Sequence, residues 1–336
     1  MVISQILSYG CPNAHNHRVA PRAETVDAYK TRSWLSSKDS PHDRQTTTHE
    51  CKRSLAAPVA CCTLGTLILS LVNGVTAAAP AVSVYRFACT AIIQVFIYPC
   101  IDQLVNHASR LRNRTQGRLS CPMVLRTPFG AGIRAPEHHS ESTEAMLAHI
   151  PGLRVVVPSS PERAYGLLLA AIRDPDPVVF LEPTRIYRAA KGEVEDNGEA
   201  LPLDVAFITR EGRDVTLISW GATLKETLAA ADVLAAEGIS AEVIDLATLK
   251  PYDEDTLLAS IAKTGRCVIA HEAARTGGFG AEIAALIAER GLTSLLAPIE
   301  RVTGYDTVVP LSRLEQHYMP SVGRIAAAAR NACQFS

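Results

Sequence analysis

From Tyr85 onward the chain alternates between two hydrophobic rhythms. Short, near-continuous apolar runs recur: "PMVLRTP" from Pro122, "LRVVVP" from Leu153, "PVVFLEP" from Pro177, "DVTLISWG" from Asp214, "SAEVIDL" from Ser240 and "RCVIAHEA" from Arg266. Their Val, Ile and Leu content, without polar alternation, predicts strands buried on both faces. Between them lie "SPERAYGLLLAAIRD", "LKETLAAADVLAAEG", "DEDTLLASIAKTG" and "GFGAEIAALIAERG". These space apolar residues three and four apart, which predicts amphipathic helices. Ser160 before Pro161 reads as an N-cap with proline at the first helical position. Gly238, Gly265 and Gly291 fall where helices end on glycine. The strand-helix-strand spacing suits parallel crossovers. The predicted fold class is α/β, with parallel sheets flanked by helices.

The rhythm fails in three places. "AAKGEVEDNGEALPLD" is polar, contains glycine and has no period, which predicts a linker over 191–213 between two α/β units. Residues 1–53 are rich in Ser, Thr, His, Asn and Arg without steady periodicity and read as loop or disorder. Ser54 to Tyr85 carries no charged residue and is long enough to cross a bilayer, which takes roughly 20 apolar residues. Pro58, Asn73, Gly74 and Pro80 would interrupt a spanning helix, and the run starts too far along the chain for a secretory signal. A buried helix of small residues in an α/β core is expected there rather than a membrane span.

Charge and cysteine content narrow the function classes. A formal net charge of −1 gives no broad field for nucleic acid or acidic lipid, so neither is an expected partner. The one basic run, Arg110 to Arg114, reads as a solvated face. The nine cysteines are odd in number and form no CxxC pair or zinc-finger spacing, which points to reduced thiols and a cytoplasmic location.

Candidate chemistry sits in "GAGIRAPEHHSES", Gly130 to Ser142, where glycines precede His138 and His139 and acids flank them. The pair reads as metal ligands, as a proton-transfer pair, or as polar loop residues. A metal needs further ligands, and the nearby sequence offers only His149, on a predicted helix.

Longer blocks carry a resemblance. "VLRTPFGAGIRAPEHHSESTEAMLAHIPGLRVVVPSSPERAYGLLLAAIRDPDPVVFLEPTRIYR", then "VTLISWGATLKETLAAADVLAAEGISAEVIDLATLKPYDEDTLLASIAKTGRCVIAHEAARTGGFGAEI" and "APIERVTGYDTVVP", resemble the β subunit of the thiamine-diphosphate-dependent 2-oxoacid dehydrogenases. "HEAARTGGFGAEI" and "RVTGYDT" are closer to the branched-chain than to the mitochondrial pyruvate type. The resemblance covers about Tyr85 to Arg330. It implies an altered pyrimidine-binding domain over 54–190 and a transketolase C-terminal-like domain over 214–336. It also implies a branched-chain 2-oxoacid as substrate, with pyruvate or acetoin as the alternative. The cofactor, thiamine diphosphate, would be shared with an α subunit that holds the diphosphate and magnesium; no Gly-Asp-Gly occurs here to hold them. The implied assembly is a heterotetramer that serves a lipoyl acyltransferase core. The histidine before the serine of "HHSES", His139, would assist acyl transfer to the lipoyl arm, with His138 as its neighbour. Phe96 falls on the aromatic position that packs against the pyrimidine. Potassium would be held, largely through backbone carbonyls, by Met123, Ala171, Ile172, Asp174 and Asp176, with Asp176 in place of the usual asparagine.

Upstream of Tyr85 the resemblance breaks. The glutamate that activates the pyrimidine aligns without gaps to Ser70, and no Glu or Asp lies between Cys51 and Ile101. The usual Glu-Ile-Gln-Phe-Asp-Gly-Phe has become "TAIIQVF". A frameshift, a misplaced start or a degenerate, non-catalytic assembly subunit would each leave this pattern.

Overall fold

The computed structural model describes residues 87–90 and 97–335. The expected disordered segment, the uncharged run, Ser70 and Phe96 lie outside them. Two five-stranded sheets form the framework. The first contains β1 (Phe87–Thr90), β2 (Met123–Phe129), β3 (Arg154–Val156), β4 (Val178–Pro183) and β8 (Thr248–Lys250), in the order β1-β2-β4-β3-β8. The second contains β5 (Phe207–Arg210), β6 (Val215–Ser219), β7 (Ala241–Asp245), β9 (Cys267–Ala270) and β10 (Glu300–Val302), in the order β10-β9-β6-β7-β5. In each sheet the inner pairings are parallel and one edge pairing, β3 with β8 or β7 with β5, is antiparallel. The α/β expectation therefore holds, with an antiparallel strand added at each rim.

The continuous apolar runs become strands because both their faces are covered. Every residue of β4, β6, β7 and β9 is buried. The helices are α1 (Ile97–Gln103), α2 (Leu111–Arg114), α3 (Glu144–Ala148), α4 (Pro161–Arg173), α5 (Ile186–Ala189), α6 (Leu224–Ala236), α7 (Glu254–Thr264), α8 (Gly280–Arg290), α9 (Glu315–Tyr318) and α10 (Val322–Gln334). Their ends follow the sequence signals. Ser160 Oγ accepts from the Arg163 N–H at 3.2 Å, and Asp253 caps α7 through the Thr256 N–H at 3.0 Å. Gly238 (φ 84°) and Gly265 (φ 70°) adopt the left-handed turn that glycine permits. Gly291 closes α8 at φ −114°, without that turn.

Two features were not visible in the hydrophobic rhythm. The interval expected to be linker carries β5, whose half-exposed residues lack a continuous apolar run. Its Phe207 ring lies 3.6 Å under the Arg163 guanidinium. β8 leaves the second half of the chain and pairs with β3, Val155 opposite Lys250 and Val156 opposite Thr248. The Val157 N–H then donates to Ala247 O at 2.8 Å. One apolar core accordingly runs through both halves, from Ile97, Leu125 and Leu181 to Ile218, Leu249 and Ile287. Among the described residues, no helix is long and apolar enough to cross a membrane.

Candidate functional site

The histidine loop begins where the buried strand β2 ends at Phe129. Gly130 (φ 81°) and Gly132 (φ 93°) turn the chain through left-handed conformations. Neighbouring side chains press on both. A Cβ on Gly130 would sit 2.5 Å from Glu272 Oε1, and one on Gly132 would run into the Arg185 side chain. Only glycine meets both demands, backbone angle and space. Arg134 also lies at positive φ, 59°. Beyond it Glu137–His139 forms a single 3-10 turn. It is followed by the fully buried Ser140, whose hydroxyl lies 3.3 Å from Pro136 O.

The two histidines differ in setting. The His138 side chain is exposed, and its Nδ1 is 3.7 Å from Glu137 Oε1. His139 is half-buried, its ring centroid 4.0 Å from that of His138 and tilted 54° to it. The far end of the loop is fastened by Gly130 N–H to Glu141 O at 3.0 Å and by a hydrogen bond from the Tyr98 hydroxyl to the Glu141 carboxylate. His149 is the exposed C-cap of α3. It lines a different groove with Arg110, Arg112 and Arg114, a cavity of about 1110 Å³. The basic run is exposed, as expected, but it forms a wall of that groove rather than a featureless face. Among the described residues, no group of three or more His, Cys, Asp or Glu is arranged to hold a metal.

Under the loop lies a set of acids that the sequence reading did not single out. Glu272, just past β9, accepts the Ala131 N–H at 3.1 Å. Glu315, the first residue of α9, accepts the Gly132 N–H at 2.8 Å and the Arg134 N–H at 2.9 Å. Arg185 grips Glu226 through both nitrogens, at 2.5 and 3.0 Å. Burial pushes the Glu272 carboxyl up to about 7, opposed by the Arg185 charge and the Ala131 N–H. Burial likewise pushes Glu144 up to about 8, and the charge on Glu272 adds to this. Neither Glu144 oxygen has a hydrogen-bond partner, although the nearby Trp220 side chain works in the opposite direction on its pKa. His271 stacks on Trp220 with centroids 5.1 Å apart. Neither of its ring nitrogens is hydrogen-bonded, and desolvation holds it neutral, its pKa down to about 3. The available signal was an acid inside an otherwise apolar strand end, "CVIAHEAA".

The expected potassium residues gather at the C-terminus of α4. The Asp174 N–H donates to Ala170 O at 2.9 Å and Ala171 O at 3.3 Å. Asp174 Oδ1 accepts the Asp176 N–H at 2.8 Å, and its Oδ2 lies 3.1 Å from Arg154 Nε. Asp176 Oδ1 is 2.6 Å from Arg112 Nε. Val124 pairs with Val178, so Met123 stands level with Pro177, beside Asp176. Both carboxylates are engaged by arginines, and the last carbonyls of α4 form the electronegative end of a helix.

The two halves define a class. Residues 72–190 match the transketolase pyrimidine-binding domain and residues 204–325 the transketolase C-terminal domain. Similar proteins narrow it. "Pyruvate dehydrogenase E1 component subunit beta" of Acholeplasma laidlawii is 48% identical over 235 residues, 70% of this chain and 72% of the relative. The like-named protein of Bacillus subtilis (strain 168) is 43% identical over 240 residues, 71% and 74%. "2-oxoisovalerate dehydrogenase subunit beta 2, mitochondrial" of Arabidopsis thaliana is 46% identical over 241 residues, 71% and 67%. The chain belongs to the E1 β-subunit family of the 2-oxoacid dehydrogenases, an oxidoreductase family. A solved structure, "Split gene transketolase, inactive beta4 tetramer", superposes with a TM-score of 0.64 over 82% of each chain at 23% identity, which supports the fold.

Proposed function

We propose that this chain is the β half of a cytoplasmic 2-oxoacid dehydrogenase decarboxylating component. It pairs with an α subunit in a heterotetramer and delivers acyl groups to a lipoyl acyltransferase core. A branched-chain 2-oxoacid is the substrate read from "HEAARTGGFGAEI" and "RVTGYDT". Pyruvate is the second reading, favoured by the 48% identity to a protein named for that substrate. The cofactor of the transketolase-like family, thiamine diphosphate, supplies the decarboxylation chemistry when bound, with magnesium on the α side. Phe96 would lie against the pyrimidine, but Phe96 and Ser70 lie outside the described residues.

The observation that carries the reading is the anchored loop bearing the half-buried His139. An imidazole nitrogen can give or take a proton as an acyl group leaves. Potassium at Met123, Ala171, Ile172, Asp174 and Asp176 would brace the start of β4, where α4 hands over to the first sheet.

The test uses the chain with a family-like N-terminal half restored and an α subunit supplied. His139→Ala should reduce lipoyl acylation on the order of 10²-fold and leave the artificial-acceptor decarboxylation assay little changed. His138→Ala should alter neither. Equal, small losses for both histidines would return the pair to ordinary loop residues. A non-catalytic assembly role is the remaining reading, favoured by the absence of any acid between Cys51 and Ile101. Near-normal decarboxylation by the unaltered chain would remove it.

A further inference from the structure

We propose that Glu315 is a positioning residue for the histidine loop: a carboxylate from the C-terminal part of the chain that fixes where His139 is presented. The proposal rests on the reading of His139 given above. Both Glu315 oxygens are used, Oε1 on the Gly132 N–H at 2.8 Å and Oε2 on the Arg134 N–H at 2.9 Å. The side chain is 3% exposed, so water does not compete for these bonds. Bonds from backbone N–H groups to a carboxylate are charge-assisted and stronger than neutral ones. Gly132 and Arg134 both stand at positive φ, 93° and 59°. Arginine adopts that conformation only where its surroundings impose it. The carboxylate supplies the imposing force, by drawing both amides toward one point. Glu272 holds the Ala131 amide beside them. The loop's path from Ala131 to Arg134 is thus set from α9 and the end of β9, and the 3-10 turn with His139 begins after Ala135 and Pro136. Ile133, whose side chain is exposed, lies between the two clamped amides.

Residue-resolved hydrogen exchange on the full chain co-expressed with an α subunit tests this, together with NMR of the histidine Cε1–H groups. In the unaltered protein the Gly132 and Arg134 amides should exchange at least tenfold more slowly than that of Ile133. Glu315→Gln keeps the side-chain volume but offers one oxygen and turns an NH₂ toward the other amide. It should speed exchange at Gly132 and Arg134 at least tenfold and leave β6 and β7 at their original rates. The His139 resonance should shift, while that of His149 stays in place. Gln316→Ala changes an exposed side chain of the same short helix without touching the carboxylate and should alter none of these readings. Unprotected Gly132 and Arg134 amides in the unaltered protein would overturn the proposal. So would a Glu315→Gln protein with an unmoved His139 resonance, or a Gln316→Ala protein that behaves like Glu315→Gln. A confirmed clamp beside an unaffected His139→Ala acyl-transfer assay would sink the role of the histidine and leave that of Glu315 standing.

Discussion

At Gly130 a single methyl group would meet a carboxylate, Glu272 Oε1, at 2.5 Å on a backbone held at φ 81°. Gly130→Ala should therefore lower stability by about 1–3 kcal/mol, visible as a lower urea midpoint with an unchanged slope. Glu144 offers a second test. Its carboxyl is raised from 4.5 to about 8, so between those values the folded protein holds a proton that the unfolded chain has released. The stabilising protonated form is fully effective below about pH 4.5, and its contribution is lost as pH rises toward 8. Glu144→Gln cannot ionise. It should gain on the parent protein across that window by on the order of a few kcal/mol and level off above it. Urea unfolding of both proteins at pH 5, 6.5 and 8 checks this, and a constant difference would refute it. At this scale the sequence was read unevenly. The glycines were legible because a left-handed turn is tied to that residue type. Glu144, Glu272 and Glu315 were not, because an acid looks the same in sequence whether water or protein surrounds it.

The elements were most legible where one periodicity persists. Runs buried on both faces, such as β4 and β6, and long two-faced helices, such as α4 and α6, lie where the apolar rhythm put them. The three-residue strands β8 and β10 are too short to show a period, and β5 mixes exposed and half-buried positions. Pairing partners created these strands, and partners are not written locally. The α4 cap was written locally, as Ser160 before Pro161. Ser160→Ala removes the acceptor for the Arg163 N–H and should cost about 1 kcal/mol. Thermal unfolding should show a lower midpoint without altered spectra of the second sheet.

For the whole molecule, the segment around α9 exposes Tyr305, Val308, Leu311 and Leu314. Apolar side chains exposed this close together along the chain suit burial against a partner. In size-exclusion chromatography at micromolar concentration the chain should elute as a defined species when co-expressed with an α subunit, and as aggregate without one. A well-behaved monomer would contradict this. Ser70 stands where the resemblance implies an activating glutamate, so the unaltered complex should decarboxylate 2-oxoacids at a small fraction of a family enzyme's rate, an outcome that would favour the non-catalytic assembly reading. Assay of the purified complex with an artificial electron acceptor measures it.

The strand that β8 lends to the first sheet also sets an order of events during synthesis. Until residue 250 has left the ribosome, β3 has an open edge, although β1 to β4 are already available to pair. A nascent chain paused before that point would display an unpaired strand edge and an incompletely covered core, the surfaces that chaperones and aggregates recognise. Translation beyond Lys250 closes the sheet, so a stop codon placed between β5 and β8 should yield an insoluble product rather than a free-standing first domain.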